Sequence, residues 1–202
     1  MGSKTIMSHD ERLRTLGTNV RATVDRIVSV WGRATDADKE RGALWYADAG
    51  VITEALSAQT GYSREAVAAV IAHLSPRTRW ARNIAGATAL VYGQEPAGCI
   101  GMNVQRARRA LMSPDPLGTL NGPKVRRFAA NILGDRDAVT VDVWAMRVAC
   151  GDRFDDLELI LGRVGVYEAV EHAYQVSARR IGCDPVTVQA TTWIVVRNGR
   201  AG

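Results

Sequence analysis

Between Leu120 and Arg147 the chain reads LNGPKVRRFAANILGDRDAVTVDVWAMR, and this stretch leaves few ways to fold. Asn121 and Gly122 stand directly ahead of Pro123, with Lys124 behind it. Asn-Gly followed by Pro marks a tight turn that opens a helix at the proline. Val125, Phe128, Ala129, Ile132 and Leu133 then recur at helical spacing, which predicts an amphipathic helix. After a polar GDRD loop comes VTVDVW, an apolar run holding a single carboxylate, Asp142, ahead of a second apolar helix. The first N–H groups of a helix lack partners within it, and its dipole favours an anion at that end, so the turn at Gly122 is suited to a phosphate.

The rest of the chain reads as helix nearly throughout. Leu13, Leu16, Val20, Val24, Ile27, Val28 and Trp31 keep helical spacing from His9 to Trp31. Thr35 with Asp38 predicts the start of a helix that reaches about Gln59 and ends at Gly61. Ser63 caps EAVAAVIAHL, which stops at Pro76, and further helices are expected over 79–92, from Asn103 through NVQRARRALM, and over 155–161 and 166–181. Asp184-Pro185 reads as cap and first helical residue of VTVQATTWIVVR, a segment whose β-branched residues also suit a strand. The expected fold class is all-α, with residues 8–202 forming a single helical domain of two lobes (hairpin about 117–134). Residues 1–7 are read as unstructured or left over from expression.

Composition narrows the function classes. The chain has 202 residues, 47% of them apolar and 6% aromatic, enough for a full core. Its net charge is +5, from 26 basic and 21 acidic residues, a balance compatible with nucleic acid but not diagnostic of it. Cys99, Cys150 and Cys183 have no paired spacing and read as buried thiols in a cytosolic protein, and His9, His73 and His172 offer no metal-ligand pattern. No apolar run is long enough for a transmembrane helix. The expectation from composition is a cytoplasmic protein with no metal, no cofactor and no membrane contact.

The pattern Gly122-x-Lys124, a helix, then Val141-Asp142 and an apolar helix with an Arg resembles the helix-hairpin-helix (HhH-GPD) DNA glycosylase superfamily of the endonuclease III type. LSPRTRWARN, from Leu74 to Asn83, is similar to an earlier helix of that family, and the likeness is greatest to its small phage-type members. Three departures stand out: Leu120 occupies the position of the family's first hairpin glycine, Trp144 replaces the His after the Asp, and the linker before the hairpin is short. The four-Cys iron–sulfur loop of some members has no counterpart.

The resemblance implies a two-lobed helical fold, in a monomer of a bacterial or phage-infected cell, acting on double-stranded DNA, with Asp142 and Lys124 as the catalytic pair. Asn121, Gly122, Lys124, Arg77, Arg79, Trp80, Asn83, Arg126, Arg127, Trp144 and Arg147 would contact DNA. Taken alone, Lys124 is an ordinary solvated helix lysine and Asp142 an ordinary N-cap. Together they have the residue types a DNA glycosylase needs, with or without lyase activity. The base must leave the stack, a carboxylate supports the positive charge growing on the sugar as the N-glycosidic bond breaks, and a lysine can attack C1′. Two alternatives remain open on the same residues: a phage-type transferase that attaches an amine or amino acid to an activated hydroxymethyl base, and a DNA-binding module without catalysis.

Overall fold

The computed structural model describes residues 7–198. Among them it is all-α: eleven α-helices and one 3-10 turn, with no strand. The expected unstructured leader, Met7 aside, lies outside the described residues, as does the end of the expected domain. The chain divides into two compact units, one made of its two ends, up to Trp45 and from Arg136, and one inserted between them, Tyr46–Asp135.

The terminal unit contains α1 (His9–Arg14), α2 (Val20–Gly32), the first part of α3 (Asp36–Thr60), α8 (Val143–Cys150), α9 (Leu157–Leu161), α10 (Val166–Ile181) and α11 (Pro185–Asn198). Helix α10 packs against α1, α2 and α11. Leu13, Ile27, Met146, Val170 and Tyr174 form the centre of the core. The apolar run expected as one helix from His9 to Trp31 is two helices. Gly17 takes φ 68°, the side chain of Asn19 accepts from Ala22 N (2.8 Å), and Asp10 Oδ1 accepts from Val20 N (2.9 Å). A left-handed glycine and two side-chain acceptors thus end one helix and start the next, while the apolar stripe continues across both.

The start of α3 is as expected. Thr35 Oγ1 accepts from Asp38 N (3.1 Å), and Asp38 Oδ2 accepts from Thr35 N (3.0 Å), a reciprocal cap with Asp in place of Glu. The β-branched C-terminal segment is helix α11, not a strand, and its hydroxyls fit that state: Thr192 Oγ1 bonds back to Val188 O at 2.9 Å.

The inserted unit is built around α4 (Arg64–Leu74), started by Ser63 Oγ accepting from Ala66 N (3.2 Å). Every residue from Ala66 to Leu74 is buried, because α5 (Trp80–Val91), α6 (Gly101–Met112) and α7 (Pro123–Ile132) all pack against it. A helix apolar on all sides has no other stable place than a core.

Gly42 on α3 lies against α11 so closely that an added Cβ would stand 2.8 Å from both Cα and N of Thr191. Backbone cannot move aside as a flexible side chain can. Gly42→Ala is therefore expected to lower stability by about 1–3 kcal/mol despite the better helix propensity of Ala. A urea midpoint equal to or above that of the unmodified protein would contradict this contact.

Candidate functional site

The hairpin of the inserted unit is laced together before any helix begins. Asp115 Oδ1 accepts from Gly118 N (3.0 Å), and Thr119 Oγ1 donates to Pro116 O (2.6 Å), closing the 3-10 turn Leu117–Thr119. Leu120 follows at φ −72°, ψ 124° with its side chain 1% exposed, so it plugs the loop into the core. Gly122 then takes φ 85°, ψ 155° and Pro123 is the first residue of α7, whose N-terminus no side chain caps. Asn121 and Gly122 are exposed and Lys124 is half-buried. Arg126, expected on a phosphate, turns its Nε back to Leu120 O at 2.9 Å, although the residue remains exposed; Arg127 is exposed as well.

Helix α7 is oriented by Phe128, whose ring meets those of Tyr46 (6.1 Å) and Trp80 (6.4 Å) edge to face. Lys124 precedes Phe128 by one turn and shares its strip of the helix. Trp80 opens α5, after a turn in which Arg77 holds φ 58°, a left-handed conformation uncommon outside glycine. Arg77 and Arg79 are exposed. Asn83, expected to face DNA, is instead 1% exposed, with Oδ1 lacking a hydrogen-bond donor. One turn into α5 it lies on the inward side of the helix, among the residues that pack against α4. From Arg77 to Arg127 the sequence has nine basic side chains against two carboxylates, Glu95 and Asp115, and Glu95 is paired with Arg108.

In the terminal unit, Asp142 is the N-cap of α8. Its Oδ1 accepts from Trp144 N (3.0 Å) and Ala145 N (2.8 Å), and its carbonyl accepts from Met146 N (2.9 Å). The positive end of α8 favours negative charge there. The preceding residues are buried and outside any helix, and α10 supplies hydrogen bonds to them. Tyr167 Oη donates to Val139 O (2.8 Å) and accepts from Val141 N (3.0 Å), while Glu171 Oε1 accepts from Val139 N (3.1 Å). Trp144, half-buried, carries the Arg147 guanidinium over its ring at 4.8 Å, and Arg147 Nε lies 3.7 Å from Asp152 Oδ1. Trp45 packs against Trp193 (5.2 Å) and Gln189 is buried.

The candidate residues therefore form two sets. The inserted unit holds Asn121, Gly122, Lys124, Arg126 and Arg127 on the hairpin, and Arg77, Arg79, Trp80 and Asn83 around the start of α5. The terminal unit holds Asp142, Trp144 and Arg147 around the start of α8. Sequence reading missed Tyr167 and Glu171; the available signal was a polar stripe at i, i+4 and i+7 (Tyr167, Glu171, Tyr174) on the otherwise apolar inner face of α10. It also missed His73, the one imidazole in α4. His73 Nε2 lies 3.0 Å from Thr119 Oγ1, tying the buried helix to the hairpin turn. Burial, with Arg106 and Arg109 nearby, brings its pKa down to about 4. Burial pushes the Cys150 thiol up to about 11, which makes it a poor nucleophile at neutral pH. Among the described residues no group of three or more His, Cys, Asp or Glu side chains could hold a metal ion, and no helix is long and apolar enough to cross a membrane.

Residues 9–200 match the profile of a family of unknown function (DUF7178), and the chain belongs to that family. No curated protein and no solved structure matches it.

His73 gives the inserted unit an acid-sensitive point. Its folded-state pKa lies below the ordinary 6.5, so between pH 6.5 and about 4 the unfolded chain binds a proton that the folded chain does not. Stability attributable to this group is full above pH 6.5 and falls as pH drops through that window. His73→Gln, which can still bond Thr119, is expected to lose less stability over the same window. Parallel denaturation midpoints for the two proteins from pH 7 to pH 4 would contradict the assignment.

Proposed function

We propose that this protein is a DNA-acting enzyme that extrudes a base from the duplex and breaks its N-glycosidic bond, on an HhH-GPD-like helical fold. The observation that carries the reading is Asp142. A carboxylate stands at the first turn of α8, one oxygen fixed by two backbone N–H groups, at the end of a segment bonded to α10. A group so held keeps its charge in place as the reaction proceeds, which is what stabilising a cationic sugar requires. Capping and catalysis are compatible, since Oδ1 serves the helix and Oδ2 belongs to the same charge.

The hairpin supports the reading as the DNA anchor. Gly122 has open space around the position of a Cβ, so a phosphate can approach the uncapped start of α7 closely. The surrounding basic stretch supplies attraction without sequence preference. Lys124 is the residue that would attack C1′ in a lyase-type reaction, and Asp142 the carboxylate that would support the charge growing on the sugar. Without lysine attack, Asp142 would activate water.

The test is a screen of the full chain against duplexes containing uracil, 5-hydroxymethyluracil, oxidised purines or alkylated bases, read by abasic-site formation. On a responding duplex, Asp142→Asn preserves a good N-cap yet removes the charge, and should slow base release by about 10²-fold or more. Lys124→Ala should abolish borohydride trapping of a protein–DNA adduct; base release that persists without trapping identifies the water mechanism. Full activity in Asp142→Asn would reduce the carboxylate to a helix cap. A mass gain on the base with no abasic site would mark the transferase, and salt-sensitive binding with no product the binding module.

Gly122→Ala offers an independent check on the anchor. Nothing crowds the new methyl, so the penalty is the φ of 85°, on the order of 1–3 kcal/mol at the hairpin. DNA affinity should fall by similar factors for all sequences. Unchanged affinity in a folded variant would remove the hairpin from the binding surface.

A further inference from the structure

We infer that Tyr167 is a positioning residue for Asp142, acting through the backbone of Val139–Val141, with Glu171 one turn later on α10 as its partner. This rests on the proposed role of Asp142, but the physical claim can be tested apart from it. The Tyr167 hydroxyl stands between two main-chain groups of one non-helical segment, donating to Val139 O and accepting from Val141 N. Glu171 takes the N–H of Val139. Val139 is thus tied to α10 through both its N–H and its C=O, and Val141 through its N–H, immediately before Asp142. Both valines are fully buried, so the segment is also held by packing. Tyr174, a further turn along, brings its hydroxyl within 3.4 Å of Ala145 O, inside the first turn of α8.

Asp142 is consequently fixed from two directions. Its Oδ1 and carbonyl belong to the start of α8, while the chain entering it belongs to α10. The place of the carboxylate follows from the Asp142 rotamer, set by the cap, and from the backbone, set by Tyr167. Errors of about 1 Å in such a group can cost orders of magnitude in rate, so a device that fixes the entering backbone is a device for the chemistry. A neutral phenol suits this task because it can donate and accept at once without adding a charge beside the carboxylate.

The variant Tyr167→Phe keeps the ring and removes only the hydroxyl. In the full chain, hydrogen exchange at the amides of Val141, Trp144 and Ala145 should speed up about tenfold or more beyond any change at Ile27 of α2, which reports global opening. Glu171→Gln retains an acceptor for Val139 N–H and should exchange like the unmodified protein at all four. No acceleration at the three amides, or equal acceleration at Ile27, overturns the inference. On the duplex of the screened panel that yields abasic sites, Tyr167→Phe should lower kcat with KM unchanged. If Asp142→Asn is inactive there and Tyr167→Phe keeps full kcat, the positioning inference falls and the carboxylate stands. If Asp142→Asn is fully active, the catalytic reading falls, and exchange alone decides whether Tyr167 holds the segment.

Discussion

Backbone hydrogen bonding in Ala138–Asp142 is the constraint around which the terminal unit is arranged. Residues 138–141 are buried and lie outside any helix, and among the described residues there is no strand to pair with them. Buried N–H and C=O groups without partners are costly, so the bonds must come from side chains. Helix α10 provides them with Tyr167 and Glu171. In exchange, two polar side chains that would be expensive in a core acquire partners there. The arrangement also explains why α10 lies at the centre of this unit: a helix that bonds a loop on one face must pack on others to stay fixed, and it packs on α1, α2 and α11.

The inserted unit meets its core requirement in the opposite way, with a nearly all-apolar helix. Small residues, Ala66, Ala68, Ala69 and Ala72, let neighbouring helices approach α4 closely, and the one polar member of its last turn, His73, bonds out to Thr119. The cations of the unit are then left for its periphery, where Arg77, Arg79, Arg82 and Arg127 are exposed. Burial within α4 and basic charge outside it have the same origin: a small unit with one apolar helix at its centre must carry its charges on the helices around it.

Local chemistry was legible in the sequence; distant pairing was not. Thr35 with Asp38, Ser63, Pro123 after Gly122, and Asp142 ahead of an apolar run each announce a helix start within three or four residues, and each is found as one. The break at Gly17 escaped because the apolar spacing of α1 continues into α2, and periodicity records which face is buried, not whether the backbone is continuous. His73 with Thr119 is separated by 46 residues and Tyr167 with Val139 by 28, and no short-range rule connects them. Asn83 and Arg126 show a related limit. A polar residue beside a basic stretch reads as surface, yet Asn83 falls on the inner side of α5, and Arg126 is drawn to a carbonyl of its own hairpin.

That carbonyl belongs to Leu120, where the hairpin departs most from the pattern it resembles. A glycine at that point would be needed if the backbone were left-handed or if an apolar side chain had nowhere to go. Neither holds: φ is −72°, an ordinary extended value, and the side chain is almost wholly buried. The left-handed requirement falls on Gly122 alone. With Leu120 plugged into the core and its carbonyl taken by Arg126 Nε, the residue on the inner side of the turn is fixed from both its side chain and its main chain. Asn121 and Gly122, which lead into α7, remain exposed. A buried apolar anchor at Leu120 thus stands directly before a turn whose left-handed residue is Gly122, the one position there that needs the freedom of glycine.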